Sequence, residues 1–222
     1  MMKATLGFIF TLVFLAITSP VLAQSERMSE ADYNTAFAKA LEMVSTRDRR
    51  VVTIKKFYGG AKLVGTRKIV TEFSDPDAKK VEATERFGDS ISKKEAIKVG
   101  DQFYCRDGDE GWKKSRKDCS TAGQLAIPHG NYEYLVETDA KESSRRIYTR
   151  RAKFVDSGLP ERDAVRLKFI EIKFTTGENG IVEYAETRRG GIEPNGWSST
   201  QVTTYEYDPT DLKIVDPTKE NL

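Results

Sequence analysis

A single histidine, His129, stands in 222 residues, and there are only two cysteines, Cys105 and Cys119. One histidine in Pro128-His129-Gly130 supplies neither a Ser-His-Asp constellation nor a cluster of nitrogen ligands, so the residue reads as a loop histidine. Two cysteines separated by thirteen residues do not make a Cys-x-x-Cys redox site. An excess of one charge is also missing. With 36 basic and 34 acidic residues, no global field steers the chain to nucleic acid. Long apolar runs are confined to the start. Internal repeats, linkers and low-complexity segments are lacking, and so are helices between strands, which excludes a parallel α/β architecture.

The one apolar run has a recognisable layout. Lys3 supplies a positive charge, Leu6 to Ile17 carry none, Ser19-Pro20 break the run, and Val21-Leu22-Ala23 place small residues before Gln24. That is the form of a cleavable secretory signal. Its 12-residue length falls short of the roughly 20 that span a bilayer. No Cys follows the cut, so no lipid anchor is expected. The expectation is a signal peptide at 1–23, one globular domain at 24–222, a periplasmic or extracellular location, and no stable membrane span after cleavage. In such a compartment an even cysteine count favours a disulfide. The Asp107-Gly108 turn signal between them allows a stapled hairpin, Cys105 to Cys119, that contributes on the order of 3 kcal/mol.

One helix is visible in the mature chain. Ser29 is a fitting N-cap, Glu30 and Asp32 suit the positive end of the helix dipole, and Tyr33, Phe37, Ala40, Leu41 and Val44 fall at helical spacing. The helix ends near Thr46-Arg47-Asp48. From Arg50 the period becomes two, with turn signals at Gly59-Gly60, Asp75-Pro76-Asp77, Gly88-Asp89, Gly100-Asp101 and Gly177-Glu178-Asn179-Gly180. Residues 120–131 read as irregular or a short helix. Within 165–175 the apolar residues switch from odd positions (Val165, Leu167, Phe169) to even ones (Ile170, Ile172, Phe174), which signals a β-bulge or two differently buried halves; bulges bend sheets, so a strongly curved sheet is expected. The predicted fold is mainly β (α+β): a curved antiparallel sheet or half-barrel of about ten strands, with one N-terminal amphipathic helix packed over it.

Strand faces that ought to be inner are interrupted by Thr, Arg and Lys. A closely packed sandwich alternates more cleanly, so a partly polar, ligand-accepting face fits better. The stretch Arg145 to Phe154 interleaves cations with aromatics. In a strand Arg146, Tyr148, Arg150, Ala152 and Phe154 share a side; an anionic partner such as a phosphate, a lipid headgroup or RNA is one reading, and the simpler one is a wet face with long side chains lying over it. Lys113-Lys114-Ser115-Arg116-Lys117 suits an exposed edge that discourages strand pairing. Asp107-Gly108-Asp109-Glu110 lacks the other ligands of a calcium loop and reads as a hairpin tip.

Two segments carry a family resemblance. Ile97-Lys98-Val99-Gly100-Asp101-Gln102-Phe103-Tyr104, followed by Gly111-Trp112, resembles a pair of short strands ending in a Gly-Trp hairpin. Thr203-Thr204-Tyr205-Glu206-Tyr207-Asp208-Pro209, then Ile214 and Pro217, resembles a closing strand followed by an isoleucine and a proline. With the element order, they resemble the LolA/LolB-type lipoprotein-carrier superfamily, to which the LppX/LprG and RseB-like proteins are similar. The resemblance implies an unclosed barrel, helices across its opening and a cavity for acyl chains. This chain departs in having one clear helix and a cysteine-stapled hairpin.

The function expected is a non-enzymatic lipid or lipoprotein-binding carrier of the bacterial cell envelope, with no cofactor, metal or catalytic residue. Period alone nominates Phe37, Leu41, Ile54, Ile69, Phe103, Tyr148, Phe169 and Tyr205 as the lining. The partners expected are acyl chains of a lipid or lipoprotein. A sensor or protein-interaction module that binds another envelope protein is the alternative, and a secreted hydrolase with two carboxylates a remote one. Oligomeric state is left open.

Overall fold

The computed structural model describes residues 25–74, 77–119, 130–153, 167–191 and 197–217. The signal segment, His129, Phe154 and Val165 lie outside the described residues. Helix α1 spans Glu30–Ser45. The twelve strands are β1 (Glu26–Arg27), β2 (Arg49–Gly59), β3 (Lys62–Ser74), β4 (Ala78–Phe87), β5 (Ser90–Val99), β6 (Gln102–Asp107), β7 (Lys113–Ser115), β8 (Glu133–Thr138), β9 (Arg146–Lys153), β10 (Leu167–Thr176), β11 (Val182–Gly191) and β12 (Trp197–Tyr207).

All twelve join one open, curved antiparallel sheet in the order β1-β8-β9-β10-β11-β12-β2-β3-β4-β5-β6-β7. The architecture is the expected one, with twelve strands instead of about ten. Long meanders β2–β6 and β9–β12 are joined where β12 pairs with β2 over their full lengths, Tyr207 opposite Arg49 and Trp197 opposite Gly59. The two edges, β1 and β7, are the shortest strands at two and three residues. Short edges with Lys113 and Lys114 limit pairing with other chains.

The helix begins as its sequence demands. Ser29 is extended, and its hydroxyl accepts from the Asp32 amide at 3.1 Å. Its last turn holds no basic residue. Arg49 of β2 fills that role, donating from Nη1 to the Val44 carbonyl at 2.8 Å and the Arg47 carbonyl at 3.1 Å. The same guanidinium lies 3.8 Å over the Phe73 ring.

Alternation then divides the sheet into two faces. The inner face, which carries α1, presents Tyr134, Tyr148, Phe174, Ala185, Tyr205 and Tyr207 from β8 to β12. Tyr33, Ala40 and Val44 of α1 close on them with Ile181 and Val182, so the buried core lies between the helix and this half of the sheet. Phe174 is 2% exposed and stacks on Tyr148 at 4.7 Å. Burying such a ring contributes about 1.5–3 kcal/mol.

The outer face is covered in part by the C-terminal segment. Asp208 takes a positive φ of 50°, the chain turns, and Asp211 meets Arg50 of β2 at 3.0 Å. Further on, the Tyr104 hydroxyl of β6 donates to Asp216 at 3.4 Å, and Pro217 is buried. Beside Tyr104 on that face, Ile97 and Glu95 are buried too.

In β10 the switch from Phe169 to Ile170 is ordinary alternation in unbroken register, and the bulges lie on either side of it. Register shifts against β11 fall between Leu167 and Phe169 and again between Thr175 and Thr176. The Gly177–Gly180 turn closes the β10–β11 hairpin, with Gly177 N donating to Ile181 O at 3.0 Å and Gly180 at φ 76°. Cys105 of β6 and Cys119 form the expected disulfide, Cα–Cα 6.1 Å. Cys119 lies past β7, since Lys113 is the residue paired with Cys105.

Candidate functional site: the inner face beside the helix

Because neighbouring strands are in register, inner-face residues form rows across the sheet. One row reads Tyr134, Arg150, Ile172, Thr187, Gln201, Lys55, Arg67, Glu85 and Ser92 from β8 to β5. The next row away from the helix contains Ala152, Ile170, Arg189, Ser199, Phe57, Gly65 and Phe87. The next row toward it is uncharged from β8 to β4: Val136, Tyr148, Phe174, Ala185, Thr203, Thr53, Ile69 and Ala83. Cations are therefore gathered into a band two rows deep on a floor that in these rows otherwise holds one carboxylate, Glu85, one amide, Gln201, and apolar or hydroxyl side chains.

The helix leaves much of that floor uncovered. Met43, on one flank of α1, reaches the hairpin tip, its Sδ 3.8 Å from the position a Gly180 Cβ would occupy. At 100° per residue Phe37 and Leu41 lie on the opposite flank, toward Ile172 and the cation band. Both are exposed, Phe37 39% and Leu41 44%, although Phe37 stays 5.4 Å from Phe174. Two large apolar side chains thus overhang the floor. No described element lies over the inner face of β2 to β7.

Burial works against the cations here. It depresses the Lys55 ammonium, and the nearby Arg189 and Arg67 guanidiniums depress it further. Burial also lowers Arg189. Among the described residues no carboxylate comes within ion-pair distance of either one. Arg67 is held by Glu85, Nε to Oε1 2.6 Å. Lys55 Nζ lies 4.6 Å from the Phe57 ring, which packs on Phe87 at 5.2 Å. Gly65 is required beneath that pair, since a Cβ there would lie 2.3 Å from the Phe87 ring. Arg67, Ala83, Glu85, Ser92 and Lys94 line a depression of about 100 Å³ beside the band. At the β8 end Arg150 is stacked 3.9 Å over Tyr132. Around it burial raises the tyrosines, Tyr33 to about 12, so they stay neutral hydroxyls.

The outer face differs. There Arg50 meets Glu72, Glu206 and Asp211; Arg106 meets Glu95 at 2.6 Å; and Lys80–Glu82, Arg151–Glu133, Lys173–Glu171 and Arg188–Glu186 pair within 3.4 Å. Lys80 holds Glu82, and Arg151 holds Glu133, below the usual carboxylate range.

Of the residues nominated as lining, Ile69, Phe103, Tyr148 and Tyr205 face inward, and Phe37 and Leu41 overhang them. Ile54 and Phe169 do not join them. Ile54 sits opposite Val202 on the outer face, 41% exposed, because Thr53 and Lys55 take the inner positions of β2. Phe169 faces outward because it alternates with inward Ile170, and its ring lies against Gly190. It borders a depression of about 510 Å³ with Asn131, Glu133, Arg151 and Lys153, at strand ends where the chain passes outside the described residues. Lys55, Arg67 and Arg189 were not singled out by the sequence; only strand register brings them together. Among the described residues no group of three His, Cys, Asp or Glu is placed to hold a metal. No helix among them is long and apolar enough to cross a membrane.

No protein-family model matches the chain, and no curated protein does. Among solved structures it is similar to a DUF1329 family protein from Desulfovibrio piger, at 12% identity and a TM-score of 0.33, over 82% of this chain and 94% of that one. A likeness that distant bears on neither ligand nor activity.

Proposed function

We propose that this protein is an exported, non-enzymatic carrier of lipid or lipoprotein acyl chains in the bacterial cell envelope. The chains lie on the inner face of the sheet under the free flank of α1. The observation that carries this reading is the exposed pair Phe37 and Leu41, held beside Ile172 and Ile69 on a floor whose β2 to β7 part no described element covers. Each buried methylene contributes about 0.8 kcal/mol, so even a short stretch of acyl chain is retained. The sequence supports export through residues 1–23. The resemblance of the Ile97–Tyr104 and Thr203–Pro209 segments to lipoprotein carriers points the same way.

The test is to express the full chain with its leader, recover the exported fraction and record native mass spectra before and after denaturing extraction. The expected result is cleavage after Ala23, a mass two hydrogens lower for the disulfide, and a co-purifying acyl species. An empty, folded protein that instead crosslinks stably to an envelope protein would replace the carrier reading with that of an interaction module.

A further inference from the structure

We propose that Lys55, Arg67 and Arg189 seat an anionic headgroup, so that the molecule carried is a negatively charged lipid whose chains run from this seat toward the helix. The inference rests on the acyl-carrier reading and adds the chemical class of the cargo. Lys55 and Arg67 are direct cross-strand neighbours. Arg189 lies two strands away and two residues along, roughly 12 Å from Lys55 between Cα atoms at ordinary strand spacing. Side chains of this length converge over such a gap, and Lys55 feels the charge of both guanidiniums.

Among the described residues these three cations share the patch with one carboxylate, Glu85, which is already taken by Arg67. Like charges brought together on a partly buried surface repel one another, and desolvation adds to that cost. A bound anion relieves the repulsion, and its attraction offsets the desolvation. Thr187, Ser199 and Gln201 stand between the cations on the same floor and offer neutral donors to remaining oxygens. Arginine suits a phosphate through two parallel bonds, and lysine suits it as a point charge. The row immediately toward the helix, with Thr53, Thr203, Ala185 and Ile69, is uncharged from β8 to β4, and Phe37 and Leu41 overhang this side. Charge at one end and apolar cover at the other match an amphiphile lying along the strands. A neutral lipid would bring no charge to meet Lys55 and Arg189, and a small free anion would leave the overhang empty.

The experiment uses the mature exported protein and two fluorescent probes with the same acyl chains, phosphatidylglycerol and diacylglycerol, presented in phosphatidylcholine vesicles. Each cation should contribute about tenfold to the affinity for the anionic probe. The double variant Lys55→Gln/Arg189→Gln is therefore expected to weaken phosphatidylglycerol binding about a hundredfold while diacylglycerol binding stays unchanged. Glu85→Gln, which removes the competing carboxylate, should tighten phosphatidylglycerol by about threefold. That gain does not depend on how well the double variant folds. If the wild-type protein binds both probes equally, or the double variant keeps its phosphatidylglycerol affinity, the headgroup seat is overturned and the acyl-carrier reading stands. If folded wild-type protein takes up neither probe, the acyl-carrier reading falls and the seat falls with it. If glycerol 3-phosphate alone binds as tightly as the lipid, the seat serves a free anion and the lipid assignment is overturned.

Discussion

On the outer face of β2, Arg50 is met by Glu72, Glu206 and Asp211. Five residues along the same strand, on the inner face, Lys55 is met by Arg67 and Arg189. The two cations share a strand and a solvent, and their surroundings differ in sign. The outer face uses charge as sheets ordinarily do, in cross-strand pairs that offset one another. On the inner face charge of one sign is gathered where it costs stability, which is the usual mark of a surface shaped for something that binds it.

That contrast can be broken or sharpened. The largest effect concerns what divides the inner face into covered and open halves. Phe174→Ala removes a ring that touches Tyr33, Phe37 and Tyr148 and should cost about 3–5 kcal/mol, with loss of the near-ultraviolet circular dichroism of the tyrosines. A loss under 1 kcal/mol by urea denaturation would mean that the helix is not docked there.

Next is the edge. Cys105→Ser/Cys119→Ser should lower stability by about 3 kcal/mol without touching either charge pattern, and reductant should reproduce the shift in Tm only in the wild-type protein.

The outer face gives a smaller, pH-dependent effect. Arg50→Gln should cost about 1–2 kcal/mol at neutral pH. Hydrogen bonds from Arg50 hold the Asp211 carboxyl below its ordinary value. A depressed carboxyl contributes stability above the unfolded value, near pH 4, and loses it as pH falls through the folded value. Urea midpoints between pH 7 and pH 3 should therefore fall more steeply for wild type than for Arg50→Gln. Parallel curves would dismiss the cluster as a source of stability.

The smallest effect has the opposite sign. Lys55→Met removes a cation that burial and its neighbours disfavour, so it should raise stability by about 0.5 kcal/mol in a thermal melt. A depressed lysine lacks the proton at high pH that the unfolded chain still binds, so the gain should shrink as pH rises through the lysine range. A destabilised Lys55→Met would erase the distinction between the faces.

Much of the fold was legible because local chemistry and tertiary need coincide. Ser29 caps, Tyr33, Ala40 and Val44 are the buried stripe, and a bulge in β10 falls close to the apolar switch, between Leu167 and Phe169. Strand β1 escaped notice because Glu26-Arg27 carries no pattern; it exists through pairing with Val136 and Leu135. The facing of β2 was equally hidden. Val51-Val52-Thr53-Ile54 is β-branched on both sides, and the residues that turn inward, Thr53 and Lys55, are the polar ones. Choosing Ile54 as lining followed the rule that apolar side chains point in, which a binding face violates. The cation band lies further beyond reach. Lys55, Arg67, Arg150 and Arg189 are scattered over more than half the chain, and registers between strands far apart in sequence bring them together.

The pairing of β12 with β2 sets an order on assembly. Strands β2 to β6 follow one another by hairpins and can form as soon as they are made. The platform on which α1 rests consists of β8 to β12 and is finished only when the last strand arrives. The helix, although first in the chain, is thus among the last parts to settle, and the apolar flank that overhangs the floor stays open until the chain is nearly complete.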